Sequence, residues 1–263
     1  MMQVNSKRLP LPGVRYKYNS DYIKGKGGDT DVMGRAIWNL LDHHCFHTIR
    51  TDHLKYYIIQ TLDQQWDDDA VTSHMEDFEL RLKDQMSRRC RMDKQRVMRT
   101  NPNNANTTLM GASLESKLED ASTSGAQLVI LMLPAFDRYI YADFKNLADR
   151  RFGLRSLCVA KPEQLQKGND LAMKYMTNIA QKINLKYGGV NSAVDGIDLK
   201  TTLILGADVV HPPIVAFEEC PSIASLVGSM DAHGGTFLGS MRLQSKDKKD
   251  REVSSCVTQL GAS

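Results

Sequence analysis

Two pairs of residues spaced four apart could do chemistry together: Tyr141 with Lys145, and Lys182 with Lys186. On a helix that spacing puts both members of a pair on one face. Neighbouring ammonium groups there repel by roughly a few tenths of a kcal/mol, and no acid is read at a matching position to relieve them. An anion from outside relieves them instead. Ammonium groups beside an aromatic ring suit a terminal phosphate whose attached base stacks on that ring. The pairs flank a strand-like SLCV segment at 156–159 and precede the string GADVVHP at 206–212.

The elements that must position these residues follow from periodicity. A continuous apolar run at 127–133 reads as a buried strand, 138–151 as a helix and 156–159 as a short strand. Residues 170–187 read as a helix ended by Gly188 and Gly189. Further strands are expected at 201–205 and 223–227. Strands alternating with helices predict a parallel sheet with helical crossovers, whose ligands bind at strand carboxyl ends or helix N-termini.

Upstream, Ser73 and Glu76 form a capping-box pair. Met75, Phe78, Leu82, Met86 and Cys90 then fall on one helical face. Residues 1–55 read as an irregular segment laid over something else, and 101–124, rich in Asn, Ser and Thr, as a loop. No internal repeat is found.

The chain has 263 residues, enough for one large or two small domains, and 34 basic against 31 acidic residues give only +3. Charge is nevertheless segregated. Acids at Asp63, Asp67, Asp68, Asp69, Glu76, Asp77 and Glu79 precede bases at Lys83, Arg88, Arg89, Arg91, Lys94, Arg96 and Arg99. This is either a patch that a polyanion would feel or a solvated helix face. Five scattered cysteines without CxxC spacing, after the polar start MMQVNSKRLP, predict a reduced intracellular protein. The longest apolar run, 128–134, is too short to span a membrane.

With these motifs in place the chain resembles an Argonaute, specifically its Mid domain and the opening of its Piwi domain. The resemblance rests on YADFK (141–145), SLCV, NIAQKINLKYGGVN (178–191), LGADVVHPP (205–213) and PSIASLVGSMDAH (221–233), and it covers residues 126–252. LPLPGVRYK and GRAIWNL (34–40) resemble the linker that precedes Mid. The implied fold class is α/β: a Rossmann-like Mid domain with parallel sheet, then a truncated ribonuclease H-like Piwi start. The implied divisions are a linker-2-like segment at 1–56, Mid at 57–195 and an incomplete N-terminal part of Piwi at 196–263.

The resemblance also implies residue roles. Tyr141 would stack on the first base of a guide RNA, while Lys145, Lys182 and Lys186 would bind its 5′-monophosphate. Asp208 would be the first metal-binding carboxylate for Mg²⁺, and Glu252 the glutamate that slicing relatives insert. Residues 135–140 match the segment that reads the first base. Leu157 stands where many relatives have a glutamine that helps hold the phosphate, so one polar contact is expected to be missing. The expected partners are a single-stranded small guide RNA with a 5′-phosphate, target RNA indirectly, and silencing-complex proteins, with no membrane. Cytoplasmic and also nuclear localisation is implied.

With one or two of the needed carboxylates, the polypeptide is expected not to cut RNA by itself and to carry no cofactor, although full-length relatives use Mg²⁺. The alternative is a metal-dependent RNA endonuclease completed by further chain. Among smaller features, His43, His44, Cys45 and His47 lack ligand spacing and read as structural or surface residues. His211, His233 and Asp231 read as packing or hydrogen-bonding groups, and Trp38 and Trp66 as buried anchors.

Overall fold

The computed structural model describes residues 14–16, 44–49, 51–61, 68–101, 113–133, 137–160, 169–194, 196–212 and 220–244. Strand β1 (Val14–Arg15) is followed by β2 (Leu54–Gln60), helix α1 (Asp68–Cys90) and β3 (Val97–Arg99). Next come α2 (Leu114–Thr123), β4 (Leu128–Leu133), α3 (Arg138–Asn146), β5 (Arg155–Ala160) and α4 (Asn169–Lys186). The chain continues through β6 (Ala193–Val194), β7 (Leu205–Val210), β8 (Ser222–Ser229) and β9 (Phe237–Gln244).

Four strands form a parallel sheet in the order β3-β2-β4-β5, as the alternation of strands and helices predicts. Side chains alternate across its two faces. Tyr56, Ile58, Leu128, Ile130, Leu157 and Val159 pack with Met75, Phe78, Leu82 and Met86 of α1 and Met176, Ile179 and Ile183 of α4. Tyr57, Ile59, Val129 and Leu131 face the other way, against Leu118 of α2 and Phe144 of α3. The result is a three-layer αβα sandwich with β5 at one edge. That edge matters because α3 and α4 cover opposite faces and can meet only around it.

Four expectations are corrected. The last three strands form an antiparallel sheet, β7-β8-β9, not a continuation of the parallel one. The short link between β8 and β9 allows only that direction, because parallel neighbours need a long crossover. The strand expected at 201–205 lies at Leu205–Val210, so Asp208 sits within it and not after it. Helix α1 begins at Asp68, which places Ser73 inside the helix. Finally, the stretch read as a loop contains α2, capped by the Ser113 side chain accepting from the Ser116 N–H.

The early segment is stitched to the region after α4. Strand β1 pairs antiparallel with β6, and His47 bridges to Val190. Cys45 donates its N–H to the Arg89 carbonyl at 2.9 Å. Its thiol donates to Asn191 Oδ1 at 3.4 Å, and the neighbouring Cys90 thiol holds the Cys45 value down while its own is driven up. Trp38 and Trp66 lie outside the described residues. Among the described residues no helix is long and apolar enough to cross a membrane.

Candidate functional site

Helix α3 starts at Asp137, whose carboxylate accepts from the N–H groups of Tyr139 at 2.8 Å and Ile140 at 3.2 Å. Fully buried Phe144 pins the helix to the sheet. This leaves Tyr141, 36% exposed, on the outer side. One turn on, the Lys145 ammonium lies 6.0 Å from the centre of the Tyr141 ring. It donates to the carbonyl of Ser156 at 2.8 Å and to the Ser156 hydroxyl at 2.6 Å. That hydroxyl donates in turn to Asp149 Oδ1 at 2.8 Å. Asp149 lies in the π-helical turn Leu147–Arg151 that extends α3.

Lys182 and Lys186 are exposed on the last two turns of α4. Their charges act on Lys145 across the edge strand. Burial depresses the Lys145 value first, the Lys186 ammonium next, and the Lys182 ammonium adds to them, while Asp149 opposes. Lys182 and Lys186 therefore lie within electrostatic range of Lys145, and Tyr141 lies beside Lys145. Asp149 corrects the expectation that no acid relieves these charges. Its position four residues after Lys145 was the available signal, but only the turn geometry routes it through Ser156.

The cluster flanks the amino-terminal half of β5, not the carboxyl ends where ligands of such sheets were expected. Cys158 belongs to it as well: burial pushes its thiol up, and Lys145 and Lys182 pull it down. The end of α4 is fixed independently. Arg155 donates from Nε to the Lys186 carbonyl at 2.9 Å and stacks 4.6 Å from the Tyr187 ring centre. Burial raises the Tyr187 hydroxyl to about 12. Gly188, at φ 76°, ends the helix in a conformation that glycine adopts without strain. A Cβ on Gly189 would fall 2.3 Å from Asn184 Oδ1, so the turn closes only without one. Leu157 is 4% exposed and faces the α1–α4 core, where it offers no polar contact.

The predicted metal position is different. Asp208 is exposed on β7; its Oδ1 accepts from the Val209 N–H at 2.9 Å, and its carbonyl accepts from the Ser225 hydroxyl at 3.2 Å. No group of three or more His, Cys, Asp or Glu residues able to hold a metal occurs among the described residues. A Mg²⁺ site needs several oxygen ligands in fixed geometry, so these residues do not fit one. Glu252 lies outside the described residues.

The smaller features resolve into local contacts. Asp231 accepts from the N–H groups of His233 at 2.8 Å and Gly235 at 3.2 Å, and also from Thr236. His233 packs against Phe46 and His47, with ring centres 5.2 and 4.5 Å away. His211 Nδ1 meets the Ser222 hydroxyl at 2.9 Å. His44, Cys45 and His47 go to three different neighbours (the Arg88 carbonyl, Cys90 and His233), and His43 lies outside the described residues. Glu79 of the acidic run pairs with Lys83 at 2.7 Å and Arg99 at 3.6 Å of the basic run, and Asp84, inside the basic run, pairs with Arg88 at 2.8 Å and with Lys94 at 3.1 Å. That pairing favours the solvated helix face over a polyanion patch.

Solved structures share this fold. The C-terminal lobe of a budding yeast Argonaute matches with TM-score 0.64 and 22% identity, over 90% of this chain and 48% of that one. Kluyveromyces polysporus Argonaute with a guide RNA matches with TM-score 0.63 and 21% identity, over 90% of this chain and 27% of that one. The Mid–Piwi domains of N. crassa QDE-2 match with TM-score 0.50 and 23% identity, over 75% of this chain and 53% of that one. The chain thus spans about half the length of the yeast lobe and about a quarter of the Kluyveromyces protein. The Piwi domain family model matches residues 128–259, which run from β4 through the antiparallel sheet. Half of its length fits that model, and the chain belongs to the Piwi-domain family.

Proposed function

We propose that this chain binds the 5′-phosphorylated end of a single-stranded small guide RNA as a component of RNA silencing. The observation that carries the reading is the Lys145 ammonium beside the exposed ring of Tyr141, within electrostatic range of Lys182 and Lys186. A terminal monophosphate carries about −1.5 to −2 charges at pH 7, which matches a cluster of ammonium groups. Each charged hydrogen bond to it contributes roughly 1.5–3 kcal/mol. Stacking of the first base on Tyr141 adds about 1–3 kcal/mol. The resemblance of the YADFK and NIAQKINLKYGGVN motifs to Argonaute Mid sequences supports the same assignment, as does the fold shared with an Argonaute solved with a guide RNA.

Binding is proposed without cleavage by this polypeptide. Asp208 stands without two further ligands among the described residues, and no hydrolytic step is derived from it. The test compares one RNA carrying a 5′-phosphate with its 5′-hydroxyl twin. Tighter binding of the phosphorylated form, lost in a Lys182→Ala and Lys186→Ala double variant, is expected. Equal affinity for the two RNAs overturns the reading. Mg²⁺-dependent cutting of a guide-matched target by the purified chain overturns its non-cleaving part.

A further inference from the structure

The polar chain behind Lys145 carries a role that rests on the proposed reading of the site as a phosphate cradle. Ser156 is fully buried, and its hydroxyl has one hydrogen to give. It gives that hydrogen to Asp149 Oδ1 at 2.8 Å, so its lone pairs are turned toward the Lys145 ammonium 2.6 Å away. The Ser156 carbonyl holds a second ammonium proton at 2.8 Å. Two of the three donors of Lys145 are thereby fixed by the protein, and the third is left for a ligand. We propose that Asp149 and Ser156 are positioning residues of the anion site: the Asp149 carboxylate orients the Ser156 hydroxyl, and the hydroxyl aims the Lys145 ammonium beside Tyr141.

The charge arrangement supports this division of labour. From α4, Lys182 and Lys186 face Lys145 and disfavour its charge; from β5, Cys158 faces it, and from α3, Tyr141. Asp149 is the carboxylate that opposes the two lysines. It is exposed and its hydrogen bond to the site runs through Ser156, so it need not touch the phosphate.

The probes are a 5′-phosphorylated single-stranded RNA and its 5′-hydroxyl twin, titrated against the full chain over a range of pH. Asp149→Asn and Ser156→Ala are expected to weaken binding of the phosphorylated RNA about ten-fold, the loss of one hydrogen bond to a charged group. The hydroxyl twin is expected to bind as before. Ser156→Thr, which keeps the hydroxyl, restores discrimination. In Asp149→Asn the alkaline loss of phosphate binding moves to lower pH, a change that a merely structural residue does not cause. Because Asp149 is exposed, that variant also guards against simple misfolding of Ser156→Ala. Unchanged discrimination in both variants, equal losses for both RNAs, or an unmoved alkaline limb overturns the inference. Failure of the wild-type chain to discriminate instead overturns the reading of the site, and the inference falls with it.

Discussion

The Lys145 ammonium and the Tyr141 ring stand 6.0 Å apart, one turn from each other on α3. At that separation a phosphate on the lysine and a base on the ring can belong to the same nucleotide. Tyr141→Phe keeps the stacking surface, whereas Tyr141→Ala removes it. The alanine variant is expected to lose about 1–3 kcal/mol of affinity for the phosphorylated RNA, and the phenylalanine variant much less. Fluorescence anisotropy at fixed salt separates the two. Equal, large losses in both would assign the hydroxyl the main role and remove the stacking argument.

Lys182 and Lys186 act as point charges, so their contribution is legible in salt dependence. For a single strand, each phosphate charge neutralised contributes about −0.7 to the slope of log affinity against log salt. Removing either lysine flattens that slope for the phosphorylated RNA and leaves it steep for a control substitution at Lys94, which pairs with Asp84. An unchanged slope in Lys182→Ala and in Lys186→Ala would show that neither touches phosphate.

How far the sequence reached depended on the physics of each element. The face of α1 from Met75 to Cys90 was legible because one side of a helix is buried and repeats every three or four residues. Strand β2, with Tyr56 to Ile59 buried on both faces, shows no alternation and gives no strand signal of period two. Helix α2 hides its Leu118 and Ala121 stripe behind a polar stretch. At the candidate site, Tyr141 and the three lysines are singled out by spacing and motif. Asp149 offers only its spacing from Lys145 and Ser156 offers nothing, because the link through the Ser156 hydroxyl exists only once α3 packs against the edge of the sheet.

Leu157 tests whether the phosphate site can be altered one residue at a time. Its side chain points into the α1–α4 core, away from the Ser156 hydroxyl face. Leu157→Gln therefore buries an amide among apolar neighbours, which costs roughly 1–3 kcal/mol without compensating hydrogen bonds. A lower Tm with no gain in affinity for the phosphorylated RNA is expected. Tighter binding at unchanged Tm would show that the amide reaches the ligand.

Asp231 governs a different part of the chain. It organises the link between β8 and β9 by accepting N–H bonds from His233, Gly235 and Thr236. Burial alone would raise its carboxyl, but these donors outweigh it and hold the value below 3.8. The stabilisation is thus complete above the unfolded value and is lost as pH falls through the folded one. Asp231→Ala is expected to cost about 1 kcal/mol near neutral pH, discounted for its partial exposure. It should leave RNA binding at Lys145 intact. Denaturant melts at neutral and acid pH measure the difference, which should shrink in acid.

Lys145 supplies a pH signature at the alkaline end of the range. Burial, together with Lys186 and Lys182, holds its value below the ordinary 10.5. Below the folded value the lysine is charged in both states, and keeping that charge in place costs stability. Between the folded and the unfolded value the unfolded chain binds more protons, so stability gained from this group rises with pH in that window. A bound phosphate reverses the local balance and raises the lysine value again. Binding of the phosphorylated RNA is therefore expected to take up protons in the alkaline window below the ordinary lysine value, and Lys145→Gln to abolish that uptake. Calorimetry in two buffers of different ionisation enthalpy measures it directly. Binding that takes up no protons there would mean that the phosphate does not reach Lys145.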